Sequence, residues 1–228
     1  MVIQNDTLDS LDCFVPKPWG REYLCWRSPS CAIWLLELHS GASTSFHCHT
    51  KKNTGLIVLE GRIKLALINS EYYLGPLEKI NIFRGRFHSS TCLSAEGATM
   101  LEVEAPVDKR DLIRWEDKYG REDSSYEKKV CSFEENDKRL LLHSAENKFI
   151  DEQFFRGVSF KIFNSNFQDR LSKGPGSFIC LEGGIGLSED RLVIVPGDAC
   201  SSVVMEKLVS KFHVMPNSIF LEIKKKDS

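Results

Sequence analysis

The stretch Gly41-Ala42-Ser43-Thr44-Ser45-Phe46-His47-Cys48-His49-Thr50-Lys51-Lys52-Asn53-Thr54-Gly55-Leu56-Ile57-Val58-Leu59-Glu60-Gly61 decides how this chain reads. On an extended strand, residues i and i+2 share a face, so His47 and His49 stand side by side, as a facial metal site requires. The apolar run Gly55–Leu59 has strand length and ends at the turn signal Glu60-Gly61. A third histidine, His88, closes Phe83-Arg84-Gly85-Arg86-Phe87-His88. A hairpin return brings it opposite the pair. The other histidines are His39, His143 and His213.

Outward from this stretch the chain is punctuated like a β protein. Strands are expected at Cys31–Leu38, Gly55–Leu59, Ile63–Ile68, Lys79–Phe83, Thr99–Glu104, Val158–Phe163, Phe178–Leu181, Leu192–Val195 and Ser218–Ile223. Turn signals separate them at Ser40-Gly41, Asn69-Ser70, Gly85, Gly183-Gly184 and Pro196-Gly197. Many short strands at close spacing imply a sandwich or barrel. The heavily charged segment Asp108 to Asp137 stands apart. A short helix is expected within Val107–Tyr119 and a linker over Gly120–Asp137.

Composition excludes several classes. The 228 residues carry 30 Lys and Arg against 32 Asp and Glu, a net charge of -2, without the basic excess of a nucleic-acid binder. No apolar run approaches the roughly 18 residues of a transmembrane helix. The polar, acidic stretch Met1 to Asp12 is no secretory signal. The eight cysteines form no CxxC pair, so a cysteine-rich zinc module is unsupported and reduced thiols in a cytoplasmic protein are expected.

The chain also repeats itself. Leu56-Ile57-Val58-Leu59-Glu60-Gly61 matches Phe178-Ile179-Cys180-Leu181-Glu182-Gly183 at an offset of 122, and Leu101-Glu102-Val103 matches Leu221-Glu222-Ile223 at 120. A two-residue deletion in the intervening hairpin reconciles the offsets, and a tandem duplication is the preferred reading. The second copy has lost the histidines: Asp169 and Leu171 fall at the His47 and His49 positions, Gly176 at Thr54 and Leu208 at His88. It is expected to be metal-free and structural, covering the first copy as a dimer partner would.

The spacing Gly41, His47, His49, Thr54, Gly61 resembles the first motif of the cupin family, G-x5-H-x-H-x4-E-x6-G, and Phe83, Gly85, His88 resembles its second, P-x-G-x2-H. The resemblance implies a small β-barrel holding one divalent metal (Zn, Fe, Mn or Ni) on His47, His49 and His88. Thr54 stands where the family places a glutamate ligand, which removes one ligand and one negative charge and lowers the expected affinity. The whole is expected to be all-β, a tandem cupin (bicupin) of two jelly-roll-like barrels. The first occupies residues 15–122, a charged connector 123–139, and a degenerate barrel 140–228.

Lys17-Pro18-Trp19-Gly20 and Glu116-Asp117-Lys118-Tyr119-Gly120-Arg121 bracket the first barrel. Over residues 17–122 the chain resembles the cupin domain of type II mannose-6-phosphate isomerases. That resemblance implies aldose–ketose isomerisation of a sugar phosphate, in which a base moves a proton between adjacent carbons and an electrophile assists at the carbonyl. Glu102 and Glu104, on one strand face, are the candidate bases. Lys52, Arg86 and Arg121 are candidate substrate contacts. Trp19 and Trp115 either close the barrel ends or touch substrate. Two other readings stay open: a mononuclear iron dioxygenase on the three-histidine set, and a non-catalytic sugar-binding or regulatory bicupin, favoured by Thr54 and the eroded second half. The expected partner is a small sugar or sugar phosphate, with a second copy of the chain as an option and neither nucleic acid nor membrane.

Overall fold

A computed structural model describes residues 10–124, 126, 129–143, 152–164 and 175–226. The first half runs β1 (Cys13–Lys17), β2 (Gly20–Arg27), β3 (Ala32–Leu38), β4 (Phe46–Cys48), β5 (Asn53–Glu60), β6 (Ile63–Leu67), β7 (Glu71–Leu74), β8 (Lys79–Ile82), β9 (His88–Cys92), β10 (Ala98–Ala105), β11 (Ile113–Glu116) and β12 (Cys131–Ser132). The second runs β13 (Gln153–Phe155), β14 (Val158–Asn164), β15 (Gly176–Glu182), β16 (Ile185–Ser188), β17 (Arg191–Ile194), β18 (Ala199–Ser201), the helix α1 (Ser202–Val209), β19 (His213–Val214) and β20 (Ile219–Lys225). The fold is mostly β, and each of the nine expected strands overlaps an observed one. No described helix is long and apolar enough to cross a membrane. None of the eight cysteines is in a disulfide.

The first half makes a sheet ordered β12-β1-β2-β3-β10-β5-β8 and a second ordered β11-β4-β9-β6-β7. The second half makes sheets ordered β13-β14-β20-β15-β18 and β17-β16-β19. Side-chain alternation sorts the strands into successive cores. On β3, Ala32, Trp34, Leu36 and Leu38 turn toward the first half's own interior. Ile33 and Leu35 turn the other way, joining Ile57, Leu59, Leu101 and Val103 against Phe160, Ile162, Ile179, Leu181, Leu221 and Ile223. The large sheet is thus buried on both faces, which is why its central strands read as continuous apolar runs. Each such side chain contributes about 1.5–3 kcal/mol by leaving water.

The two halves repeat one register. Thr99, Leu101 and Glu102 lie opposite Glu60, Ile57 and Leu56. Ile219, Leu221 and Glu222 lie opposite Glu182, Ile179 and Phe178. Ile63 pairs with Leu74, and Ile185 with Ile194. The offset therefore falls from 122 to 120 within the β6–β7 hairpin. The halves meet closely: Asn81 exchanges two hydrogen bonds of 3.1 Å with the backbone of Ala199, and a Cβ on Gly55 would lie 2.9 Å from the carbonyl oxygen of Gly197.

Two sequence expectations are corrected. No helix forms in Val107–Tyr119. Ile113–Glu116 is strand β11, because alternation turns Arg114 toward the pocket while the backbone pairs with the edge of β4. The helix lies instead at Ser202–Val209, capped by Ser201, whose hydroxyl accepts from the Val204 amide at 3.3 Å. It fills the chain between β18 and β19, where the first half has the β8–β9 turn, and it carries Leu208. Asp169 and Leu171 lie outside the described residues. The connector is not wholly a solvated linker: β12 pairs with β1 and Phe133 packs edge-on to Tyr23 at 5.0 Å; just beyond it, Leu140 and Leu142 enter the core between the halves.

Candidate metal centre

Strand β4 pairs with β9 at a single position, His47 opposite His88, which sets their rings 4.4 Å apart. His49 follows two residues on, with its ring 5.0 Å from His47 and 5.6 Å from His88. One ring nitrogen from each residue lies within 4.8 Å of the others. The turn before β9 holds this register. Gly85 (φ 77°) adopts the left-handed conformation that favours glycine. Its amide donates to the His49 carbonyl at 2.6 Å, and the Arg84 amide donates to the Asn53 side chain at 3.0 Å.

A carbonyl oxygen only accepts hydrogen bonds, so it fixes the tautomer of an imidazole beside it. The His47 Nδ1 donates to the Ser45 carbonyl at 2.8 Å, the His88 Nδ1 to the Arg86 carbonyl at 3.0 Å, and the His49 Nδ1 to the Asp111 carbonyl. Each ring therefore keeps its Nε2 lone pair for an electrophile, the backing arrangement usual for metal ligands. The His49 Nε2 is buried without a hydrogen-bond partner, an arrangement that is costly unless an ion or water satisfies it. Burial, chiefly, keeps the imidazoles neutral: it pushes His47 well below its usual range with help from His88 and His49, lowers His88, and with Lys52 brings His49 to about 3. Three neutral, pre-oriented donors suit a divalent ion such as Zn²⁺ or Fe²⁺.

No carboxylate joins this cluster among the described residues. Thr54 is buried on β5 with its hydroxyl unpartnered, directly opposite Glu104 of β10.

The pocket beside the histidines is lined by His47, His49, Glu102, Lys109, Trp19 and Arg121 among others. Its cavity of about 50 Å³ has room for a few waters. Glu102 and Glu104 both face inward, with different surroundings. Glu102 lines the pocket. Burial alone would raise its carboxyl, but Lys109 and Lys52 outweigh that and hold it ionised. Lys109 lies 3.4 Å from Glu102, 3.3 Å from Glu22 and 4.1 Å above the Trp34 ring. Burial works against its charge, and Glu102 and Glu22 more than restore it. Glu104 is fully buried, accepting from the Trp34 Nε1 at 2.9 Å and from the Lys52 ammonium.

The other candidate contacts divide. Lys52 lines the pocket but is 1% exposed and bound to Glu104. Arg121 lines it while holding Asp117 through two side-chain bonds of 2.9 and 2.6 Å. Arg86 is exposed over Phe83 and does not line the pocket. Trp19 is buried in the pocket wall, whereas Trp115 is exposed beside Phe46 and Phe87.

Sequence reading missed four residues that shape the site: Glu22, Lys109, Asp111 and Tyr126. Glu22 receives Lys17 at 3.4 Å, Lys109, and the Tyr126 hydroxyl. The Asp111 carboxylate collects the Thr50 amide and hydroxyl and the Lys51 and Lys52 amides at 2.7–3.1 Å. It thereby fixes the loop after His49. The only signal was Asp108-Lys109-Arg110-Asp111, which resembles any solvated charged run.

No protein-family model and no curated protein matches the chain. Similar solved structures include KdgF from Halomonas sp., 15% identical over 42% of this chain and 89% of that one, with a TM-score of 0.40. The capsular polysaccharide assembling protein CapF from Staphylococcus aureus is 20% identical over 46% of this chain and 32% of that one, with a TM-score of 0.42. A cupin 2 domain-containing protein from Halorhodospira halophila is 17% identical over 38% of this chain and 64% of that one, with a TM-score of 0.36.

Proposed function

We propose that the chain is a bicupin whose first half is a divalent-metal enzyme of the aldose–ketose isomerase type, acting on a sugar phosphate such as mannose 6-phosphate. The observation that carries this reading is the convergence of three carbonyl-backed imidazoles, two of which, His47 and His49, line a pocket together with the ionised carboxylate of Glu102. His47, His49 and His88 would hold the ion, which when bound polarises substrate oxygens. Glu102 is the proton carrier: it faces the pocket, whereas Glu104 is sealed behind Trp34 and Lys52. It accepts the proton from one carbon and returns it to the neighbouring carbon, with Lys109 holding the carboxylate in place and ionised. The second half, with the same strand register and no histidine cluster among its described residues, serves as scaffold.

A second reading draws on Thr54. A three-histidine set without a carboxylate also suits mononuclear iron oxygen chemistry, and the lost ligand also suits a sugar-binding protein without catalysis. The test is interconversion of mannose 6-phosphate and fructose 6-phosphate by the Zn²⁺- or Fe²⁺-reconstituted chain, beside Glu102→Gln and His88→Ala. Turnover lost in both variants supports the isomerase. Oxygen uptake by the Fe²⁺ form without isomerisation would support the dioxygenase. Sugar-phosphate binding without turnover would support the third role.

A further inference from the structure

The small sheet, β11-β4-β9-β6-β7, breaks the side-chain pattern expected of it. An antiparallel sheet with one face on a core ordinarily alternates apolar inward and polar outward. Strands β4 and β11 invert this. His47 and Arg114, opposite each other in register, turn inward to the pocket wall, so Phe46, Ile113 and Trp115 turn outward. On β9, His88 and Ser90 face in and are buried. Phe87, just before that strand, faces out with Phe46 and Trp115, the three rings lying 5.1–6.0 Å apart. On β6 and β7 the outward residues are Lys64, Ala66, Glu71 and Tyr73, because Ile63, Leu65 and Leu74 are buried inward. Ile113 is 50%, Trp115 55% and Tyr73 57% exposed. Among the described residues no core cluster includes Phe46, Phe87, Ile113 or Trp115. The outer face of the large sheet is also apolar, and there the second half covers it.

We infer that a second copy of this chain covers the outer face of the small sheet, forming a twofold dimer. Three features select that occupant. The first is charge. The charged outward side chains of these strands are Lys64 and Glu71, which pair at 2.9 Å at one end of the face, and Glu116 at the other. A face so nearly neutral gives an anionic or cationic partner little to hold and matches another face like itself. The second is shape. His47 pairs with His88, and Ser89 with Ala66, so one row across the face runs Phe46, Ser89, Ala66, with β9 as the middle strand. A twofold axis along β9 lays Phe46 of each copy over Ala66 of the other, a large side chain over a small one, with the sheets about 10 Å apart. The third is size. Five strands about 4.8 Å apart, each about four residues of roughly 3.3 Å, give a face of roughly 24 by 13 Å. Apolar patches of roughly 300 Å² and above often mark interaction surfaces. This one makes the apolar core of an interface that usually buries about 800 Å² per partner, rim included.

The experiment is sedimentation velocity of the full chain across the micromolar range. The expected result is a species of twice the 26.0 kDa chain mass. Trp115→Lys and Ala66→Arg, made separately and matched to wild type by circular dichroism, place a charge in the centre of the contact. Each is expected to weaken dimerisation at least about 10-fold, as loss of a central anchor does. Leu187→Lys, at an apolar residue of the second half that is equally open to solvent, is expected to leave the dimer intact. A wild-type chain that stays monomeric throughout, an assembly larger than a dimer, or a dimer that survives both face substitutions overturns the inference. So does a dimer that Leu187→Lys dissolves as readily as Trp115→Lys.

Discussion

Replacing Lys52 by methionine should destabilise the protein more than almost any other single change near the pocket. The Lys52 ammonium is 1% exposed and its partner Glu104 is fully buried. Methionine has similar length and leaves no large void. What it leaves is a carboxylate out of water whose remaining hydrogen-bond donor is the Trp34 Nε1 at 2.9 Å. Breaking one side of a buried pair costs about 3–5 kcal/mol. Glu104→Gln should cost a similar amount, because it strands the ammonium instead. The double variant removes both charges while the glutamine oxygen still accepts from Trp34. It should lose only about 1–2 kcal/mol, chiefly for an amide donor without a partner. Urea unfolding followed by tryptophan fluorescence reads the difference. With a slope of about 2 kcal/mol per molar urea, each single variant shifts the midpoint down by about 2 M and the double by less than 1 M. A Lys52→Met variant within 1 kcal/mol of wild type, or a double as costly as the two singles summed, would refute the reasoning and return Lys52 to the candidate substrate contacts.

Two further predictions concern the frame of the site. Asp111→Ala removes four acceptor contacts from the loop after His49. Burial raises the Asp111 carboxyl, but its hydrogen bonds outweigh this and hold it at about 2, below the ordinary 3.8. A carboxyl depressed on folding stabilises above its unfolded value and loses that contribution as pH falls through its folded one. The deficit of the variant should thus be about 1–2 kcal/mol at pH 7 after allowing for screening and fade between pH 4 and 2. A deficit unchanged by acid in denaturant titrations would contradict it. Gly55→Val places a Cβ 2.9 Å from the Gly197 carbonyl and forces the halves apart. It should cost about 1–3 kcal/mol, read as a lowered melting temperature, and an unchanged melt would show that the halves do not meet there.

The histidines were legible because their signal is local. An HxH pair needs only strand alternation to share a face, and Gly85 marks the turn that brings His88 back. The matching register was legible for a related reason: Leu-Glu pairs on β5, β10, β15 and β20 mark matching strand positions, and register depends on side-chain alternation. The shell around the histidines was not legible. Asp111 and Lys109 lie in a charged run whose pattern is that of a solvated loop. Only the fold shows that one carboxylate collects three amides and a hydroxyl 59–61 residues away, or that Lys109 bridges β2 and β10. The helix error has the same root. Ile113–Glu116 has no helical partner face, but it has the open edge of β4. In Ser202–Val209 a short run with adjacent valines hid a helix that its serine cap and the buried Met205 stabilise.

The most direct test of the account is the metal content of the chain purified and dialysed against Zn²⁺, beside His47→Ala, His49→Ala and His88→Ala variants of verified fold. About one ion per wild-type chain, with each variant reduced well below that, is the predicted result. No stoichiometric uptake by the wild type, or uptake that survives all three substitutions, would contradict the claim that these histidines form a metal centre.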